Sequence, residues 1–147
     1  MSTKHDPRLE AAFLAAQYTV HAPQGDIALA IGRHSVPLAR LMATQNWASL
    51  ALITAYNPAG RRQDAVANAH AQQALWRWVE ESGAHCMAGH NSAPNGGEPI
   101  EPTVAIAGAS LAQAHCLANM FGQLAFVFAD TTAIPRLIWT DGRPLQQ

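Results

Sequence analysis

Apolar and polar positions along this chain switch repeatedly between a helical and a strand-like period, and the switches predict the elements. Residues 8–17 are alanine-rich, with Leu9, Ala12, Phe13 and Ala16 at helical spacing. Residues 18–22 and 26–31 read as two strands joined by the hairpin loop Pro23, Gln24 and Gly25, and Gly32 breaks the second. Ser35 is placed to cap a helix running from Pro37 to about Thr44, with Leu38, Leu41 and Met42 inward.

The most apolar stretch is residues 48–58, which ends abruptly in a polar turn. Leu50, Leu52, Thr54 and Tyr56 fall on one face and Ala51, Ile53 and Ala55 on the other, so both faces need cover and the strand belongs in mid-sheet. Asn57 and Pro58 terminate it, because proline lacks the ladder N–H and asparagine bonds its own backbone in turns. Polar groups at the carboxyl end of a central strand are a common place for ligands in open α/β sheets.

A helix is predicted over residues 63–82, with Ala67, Ala71, Leu75 and Trp78 on the inner face and Gly83 closing it. Strands follow at 84–90 and 103–108, joined through 91–97, where Asn95, Gly96 and Gly97 mark a hairpin connection. Ser110 and Gln113 form a capping box for a helix through Phe121, with Leu111, Ala114, Leu117, Ala118 and Phe121 inward. Residues 124–129 make the fourth strand of this series, which Asp130 ends, and residues 134–139 make a last one. The order strand-helix-strand-strand-helix-strand over residues 48–130 predicts an α+β fold with a ferredoxin-like βαββαβ core, the first and third strands central and the second and fourth at the edges. The whole chain is expected to form a single domain, with 1–47 as an N-terminal helix and hairpin extension and 131–147 as a C-terminal strand and tail.

Composition changes this picture in one respect. Of 147 residues, 49% are hydrophobic and 13% charged, about half the usual charged share, so a monomer would expose much apolar surface and a homodimer is expected. Nine basic residues oppose ten acidic ones, unlike the strongly basic surface of a typical DNA-binding domain. No apolar run approaches the length of a membrane helix, and the N-terminal segment has no signal-peptide character, which predicts a cytoplasmic protein with no membrane partner.

Cys86 and Cys116 form no Cys-x-x-Cys pattern and read as reduced thiols. The seven histidines show no metal-ligand spacing: His85 and His90 face opposite sides of a strand, and Cys86 and His90 lie about 13 Å apart along one. Ser110 is a helix cap with no Ser-His-Asp arrangement to make it a nucleophile. The loop Ala59-Gly60-Arg61-Arg62 precedes a helix N-terminus, where free N–H groups and two guanidinium groups can contact an anion. It is not a Walker loop, since the Lys-Ser/Thr ending is missing. Asn68, one turn into that helix, can reach Asn57, either as part of a site or to pin the loop.

Thr54-Ala55-Tyr56-Asn57-Pro58, Asn68 and Phe121-Gly122-Gln123-Leu124-Ala125 together resemble a family of small bacterial proteins catalogued as a domain of unknown function. The fold and the strand-exit motif also resemble two ferredoxin-like nuclease groups, the small CRISPR-associated dimeric proteins and the virulence-associated D-type toxin ribonucleases. That resemblance implies a homodimer in which an acidic residue just after the first core strand, often preceded by tyrosine, helps hold a divalent metal near the dimer axis. The matching pair here is Tyr56-Asn57, with an amide in place of the carboxylate. An amide offers only a neutral oxygen to a hard cation, so the charge for Mg2+ or Mn2+ is assigned to Asp130, to Asp64 or to a carboxylate from a second subunit. The expected function is phosphodiester hydrolysis of DNA or RNA by metal-activated water, with Asn57 and Asp130 at the metal, Arg61 and Arg62 on the nucleic-acid backbone, and Tyr56 and Asn68 beside them. The alternative is a module without catalytic activity that binds a small anionic ligand through Asn57, Asn68, Arg61 and Arg62, or binds another protein.

Overall fold

The computed structural model describes residues 6–142; the N-terminal segment containing Lys4 and the tail 143–147 lie outside the described residues. Those residues form a mixed α+β structure of four α-helices and a seven-stranded antiparallel sheet. Helix α1 (Pro7–Ala15) leads into the hairpin β1 (Gln17–Ala22) and β2 (Gly25–Leu29), followed by α2 (Val36–Gln45). Strand β3 (Leu50–Ile53), a 3-10 turn (Pro58–Gly60) and α3 (Ala65–Glu81) come next. Then follow β4 (Cys86–Ser92), β5 (Glu101–Ala107), α4 (Leu111–Met120), β6 (Ala125–Ala129) and β7 (Arg136–Trp139).

The sheet runs β2-β1-β4-β5-β3-β6-β7. β3 is the third strand from one edge, and all four of its residues are buried. Its neighbours are β5, with Leu50 opposite Ala107, and β6, with Leu50 opposite Ala129. Neither β4 nor β6 is an edge, contrary to the sequence expectation. β1 pairs with the outer side of β4 and β7 with the outer side of β6, so the extensions complete the sheet and leave β2 and β7 at its rims.

Strand periodicity divides the core in two. Ala51, Ile53, Val104, Ile106 and Phe126 meet Leu75 and Val79 of α3 and Ala114, Leu117 and Ala118 of α4. On the other face Leu50, Leu52, Ala105 and Val127 meet Leu38, Leu41 and Met42 of α2, together with Tyr18 and Val20. Helix α1 lies on the α2 side: the Tyr18 hydroxyl donates to the Phe13 carbonyl at 2.6 Å, and the Phe13 ring sits 5.6 Å from that of Trp139. Burying each large apolar side chain contributes about 1.5–3 kcal/mol, which is why β3, covered on both faces, anchors the sheet.

Two helix faces differ from their sequence reading. In α3 the buried residues are Asn68, Gln72, Leu75 and Val79, while Trp78 is 46% exposed. The helix is turned so that two amides, rather than alanines, meet the exit of β3. In α4 Leu111 is exposed while Ala114, Leu117 and Ala118 are buried. The Ser35 cap and the Ser110–Gln113 capping box form as their local sequence dictates. No helix among the described residues is long and apolar enough to cross a membrane.

Candidate functional site

Beyond Ile53 the chain leaves the ladder, and its polar groups find side-chain partners. Thr54 Oγ1 donates to the Pro102 carbonyl at 2.7 Å and accepts from Tyr56 N at 3.1 Å. Ala55 N donates to Gln72 Oε1 at 2.9 Å. Asn57 then takes the left-handed conformation, φ 48° and ψ 62°, a region asparagine enters more readily than most side chains.

Every polar group of Asn57 but its carbonyl is engaged within this network. Its backbone N–H donates to Asn68 Oδ1 at 2.9 Å, and its Oδ1 accepts from Gln63 N at 3.1 Å and Asn68 Nδ2 at 3.0 Å. Its Nδ2 donates to Glu101 Oε2 at 2.9 Å. Gln63 closes the ring by donating its side-chain amide to Asn68 Oδ1 at 2.8 Å. The backbone N–H of Gln63 can only donate, so the carbonyl oxygen of Asn57 must face it and the amino group must face Glu101.

The second motif clasps the same turn. The Gly122 carbonyl accepts from Ala59 N at 2.7 Å, and Gln123 Nε2 donates to the Tyr56 carbonyl at 3.1 Å. Gly122 has φ +70°, and a Cβ on it would stand 2.9 Å from Pro58 Cβ, so only glycine allows the close approach. Thr54-Ala55-Tyr56-Asn57-Pro58 and Phe121-Gly122-Gln123-Leu124-Ala125 are thus two halves of one structure.

Glu101, at the start of β5, links this turn to a cavity of about 40 Å³ beneath α1, lined by Phe13, Tyr18, Thr54, Thr103 and Gln123 among others. That is room for a few water molecules. Burial pushes the Glu101 carboxyl above its ordinary value, an effect opposed by the bond from Asn57. Burial also raises the Tyr18 hydroxyl, helped by the charge of Glu101. Thr103 Oγ1, which lines the same cavity, is buried without a hydrogen-bond partner, which marks the surroundings of Glu101 as polar ground not fully satisfied by the protein itself.

The residues expected to form the site therefore divide. Asn57 and Asn68 come together, with Tyr56 partly buried beside them and contributing its backbone. Arg61 and Arg62 are exposed on the loop between the turn and α3. Asp64 is the N-cap of α3, its Oδ1 accepting from Ala67 N at 2.8 Å. Asp130 stands elsewhere. Since β6 runs antiparallel to β3 and Ala129 lies opposite Leu50, Asp130 is at the start of β3 while Asn57 follows its end. The length of β3 alone sets them more than about 10 Å apart, whereas ligands of one divalent cation lie within about 5 Å of each other. Asp130 instead accepts from Thr132 N and Oγ1, at 2.9 and 2.6 Å, and these bonds hold its carboxyl below the ordinary value.

Within one chain Asn57 and Asp130 therefore stand at opposite ends of β3, while Asp64 caps α3. Among the described residues no three or more His, Cys, Asp or Glu side chains gather in one place where they could hold a metal ion. Glu101, Gln63, Gln72 and Gln123 are the participants that sequence reasoning missed. Gln123 sits inside a quoted motif, and Glu101 is a carboxylate at the mouth of an apolar strand, a signal visible in the sequence.

Residues 53–126, half of the chain, match the family described as "Protein of unknown function (DUF3293)". The chain belongs to this family. The DUF3293 region contains all of the network residues from Thr54 to Gln123, whereas α1, α2, the β1–β2 hairpin, Asp130 and β7 lie outside it. No curated protein and no solved structure is similar enough to the chain to count as a match.

Proposed function

We propose that this DUF3293 protein is a binding module for a phosphate-bearing ligand, held by Arg61 and Arg62 on the loop that the Asn57–Asn68–Gln63 network braces. The brace carries this reading. Three amide side chains and Glu101 fix the turn before any ligand arrives, so less ordering entropy is lost on binding, while the two guanidinium groups stay exposed and can form paired bonds to phosphoryl oxygens. The core strand order β4-β5-β3-β6, with α3 and α4 packed on one face, supports a ferredoxin-like description of residues 50–129. Exposed Trp78, Leu111 and Met120 on α3 and α4 support a homodimer, which would present two such loops.

Nucleic-acid cleavage shares this loop, so one experiment addresses both. Labelled single-stranded DNA and RNA are titrated with the protein at low and moderate salt, and in parallel incubated with Mg2+, with Mn2+ and with chelator. Binding that weakens with salt, falls at least tenfold in the Arg61→Ala/Arg62→Ala double variant and stays within twofold in Asp130→Asn is the expected result. Equal binding by the double variant and the wild type, or no binding by either, overturns the proposal. Metal-dependent cleavage abolished by Asn57→Ala would instead establish a nuclease.

A further inference from the structure

The β1–β2 hairpin extends the sheet past the helices, and its outer face carries a cluster unconnected with the turn. His21 and Asp26 are cross-strand partners, and His21 Nδ1 lies 2.8 Å from Asp26 Oδ1. The pairing of Thr19 with His90 brings β4 alongside, so that His21 Nε2 lies 3.1 Å from His90 Nδ1, a nitrogen 69 residues away in sequence. The two rings stand 5.0 Å apart and 35° from parallel.

The protonation pattern follows from the donors available. A carboxylate can only accept, so the contact with Asp26 fixes the proton of neutral His21 on Nδ1 and leaves a lone pair on Nε2. That lone pair faces His90 Nδ1. Two imidazole nitrogens so placed either share a proton or share a cation. With metal–nitrogen bonds of about 2.0–2.1 Å and a tetrahedral angle, two ligating nitrogens stand about 3.4 Å apart, a few tenths of an ångström beyond the distance seen. Small rotations of the two incompletely buried rings supply that difference. A carboxylate bonded to the far nitrogen of a ligating imidazole is the usual support for such a ligand.

We propose that His21 and His90 form a two-nitrogen site for a borderline transition-metal cation of the Zn2+ or Ni2+ type, with Asp26 orienting His21. Imidazole suits these metals, as it does not suit Mg2+ or Ca2+. Since no third His, Cys, Asp or Glu side chain among the described residues joins the pair, the remaining coordination positions are open to water or to a donor from another molecule. The site lies on the free face of the hairpin, outside the DUF3293 region except for His90, and does not depend on the function proposed for the Arg61–Arg62 loop.

Untagged protein is titrated with ZnCl2 and with NiCl2 by calorimetry, alongside His21→Ala, His90→Ala and Asp26→Asn, while the ring resonances of all histidines are followed by NMR. One ion per chain is expected, with the His21 and His90 rings perturbed first. Either alanine substitution should weaken binding more than tenfold, and Asp26→Asn about tenfold. The Arg61→Ala/Arg62→Ala variant should bind the ions as the wild type does. Absence of binding, unchanged affinity in both histidine variants, or earlier perturbation of other histidines or of the cysteines would overturn the assignment.

Discussion

Asn68→Ala tests whether the turn is braced as the hydrogen bonds imply. Asn68 is 6% exposed. Its Oδ1 accepts from Asn57 N and Gln63 Nε2, and its Nδ2 donates to Asn57 Oδ1 and, more weakly at 3.4 Å, to the Gln63 carbonyl. Alanine removes these four bonds and leaves the Asn57 N–H partly buried without an acceptor. A typical bond contributes about 1 kcal/mol net, and an orphaned buried group costs about 1–3 kcal/mol. Asn57 Oδ1 keeps its bond from Gln63 N, and Gln63 can turn to solvent, so the expected loss is about 2–4 kcal/mol. That is a large part of a stability of about 5–15 kcal/mol. Urea unfolding followed by tryptophan fluorescence reads it directly, with the midpoint lowered and the slope unchanged. Hydrogen exchange should show faster exchange at Asn57 and Gln63 than in the β3–β5 ladder. Asn68→Asp keeps the acceptor but opposes a carboxylate to Asn57 Oδ1, so it should be no better than alanine. A loss below about 0.5 kcal/mol, the ordinary range for a surface substitution, would refute the bracing role.

Two further outcomes follow from the same turn. Gly122→Ala forces an L side chain into φ +70° and sets its Cβ 2.9 Å from Pro58, so a loss of about 2–3 kcal/mol, visible as a lowered thermal midpoint, is expected. For Glu101 the sign is set by its raised carboxyl: between the ordinary and the raised value the folded state holds more proton than the unfolded one, so its contribution to stability falls as pH rises through that window. Glu101→Gln keeps an acceptor for Asn57 and cannot ionise, so its stability relative to wild type should improve from acid to neutral pH and then level off. Urea unfolding at several pH values checks this, and a difference that is flat or declines with pH would contradict the burial of a charge there.

What was legible in the sequence is what short-range chemistry fixes. Ser35 and Ser110 cap their helices because each hydroxyl needs only the N–H three residues on, and β3 is recognisable because an apolar run without helical period must be covered on both faces. Apolarity alone does not decide which face of α3 turns inward: Asn68 and Gln72 take inward positions since the backbone leaving β3 needs partners, and Trp78 stands outward. Antiparallel pairing of β3 with β6, not the short sequence run before Asp130, decides that this carboxylate sits at the far end of the strand from Asn57. His21 and His90 illustrate the same division. Counting residues along one strand found no pair of ligands, and only the register of β1 on β4 sets the two nitrogens side by side. Hydrogen bonds between near neighbours are encoded where they occur, but strand pairing joins residues whose separation in sequence carries no trace of their distance, so the site's membership belongs to the tertiary structure.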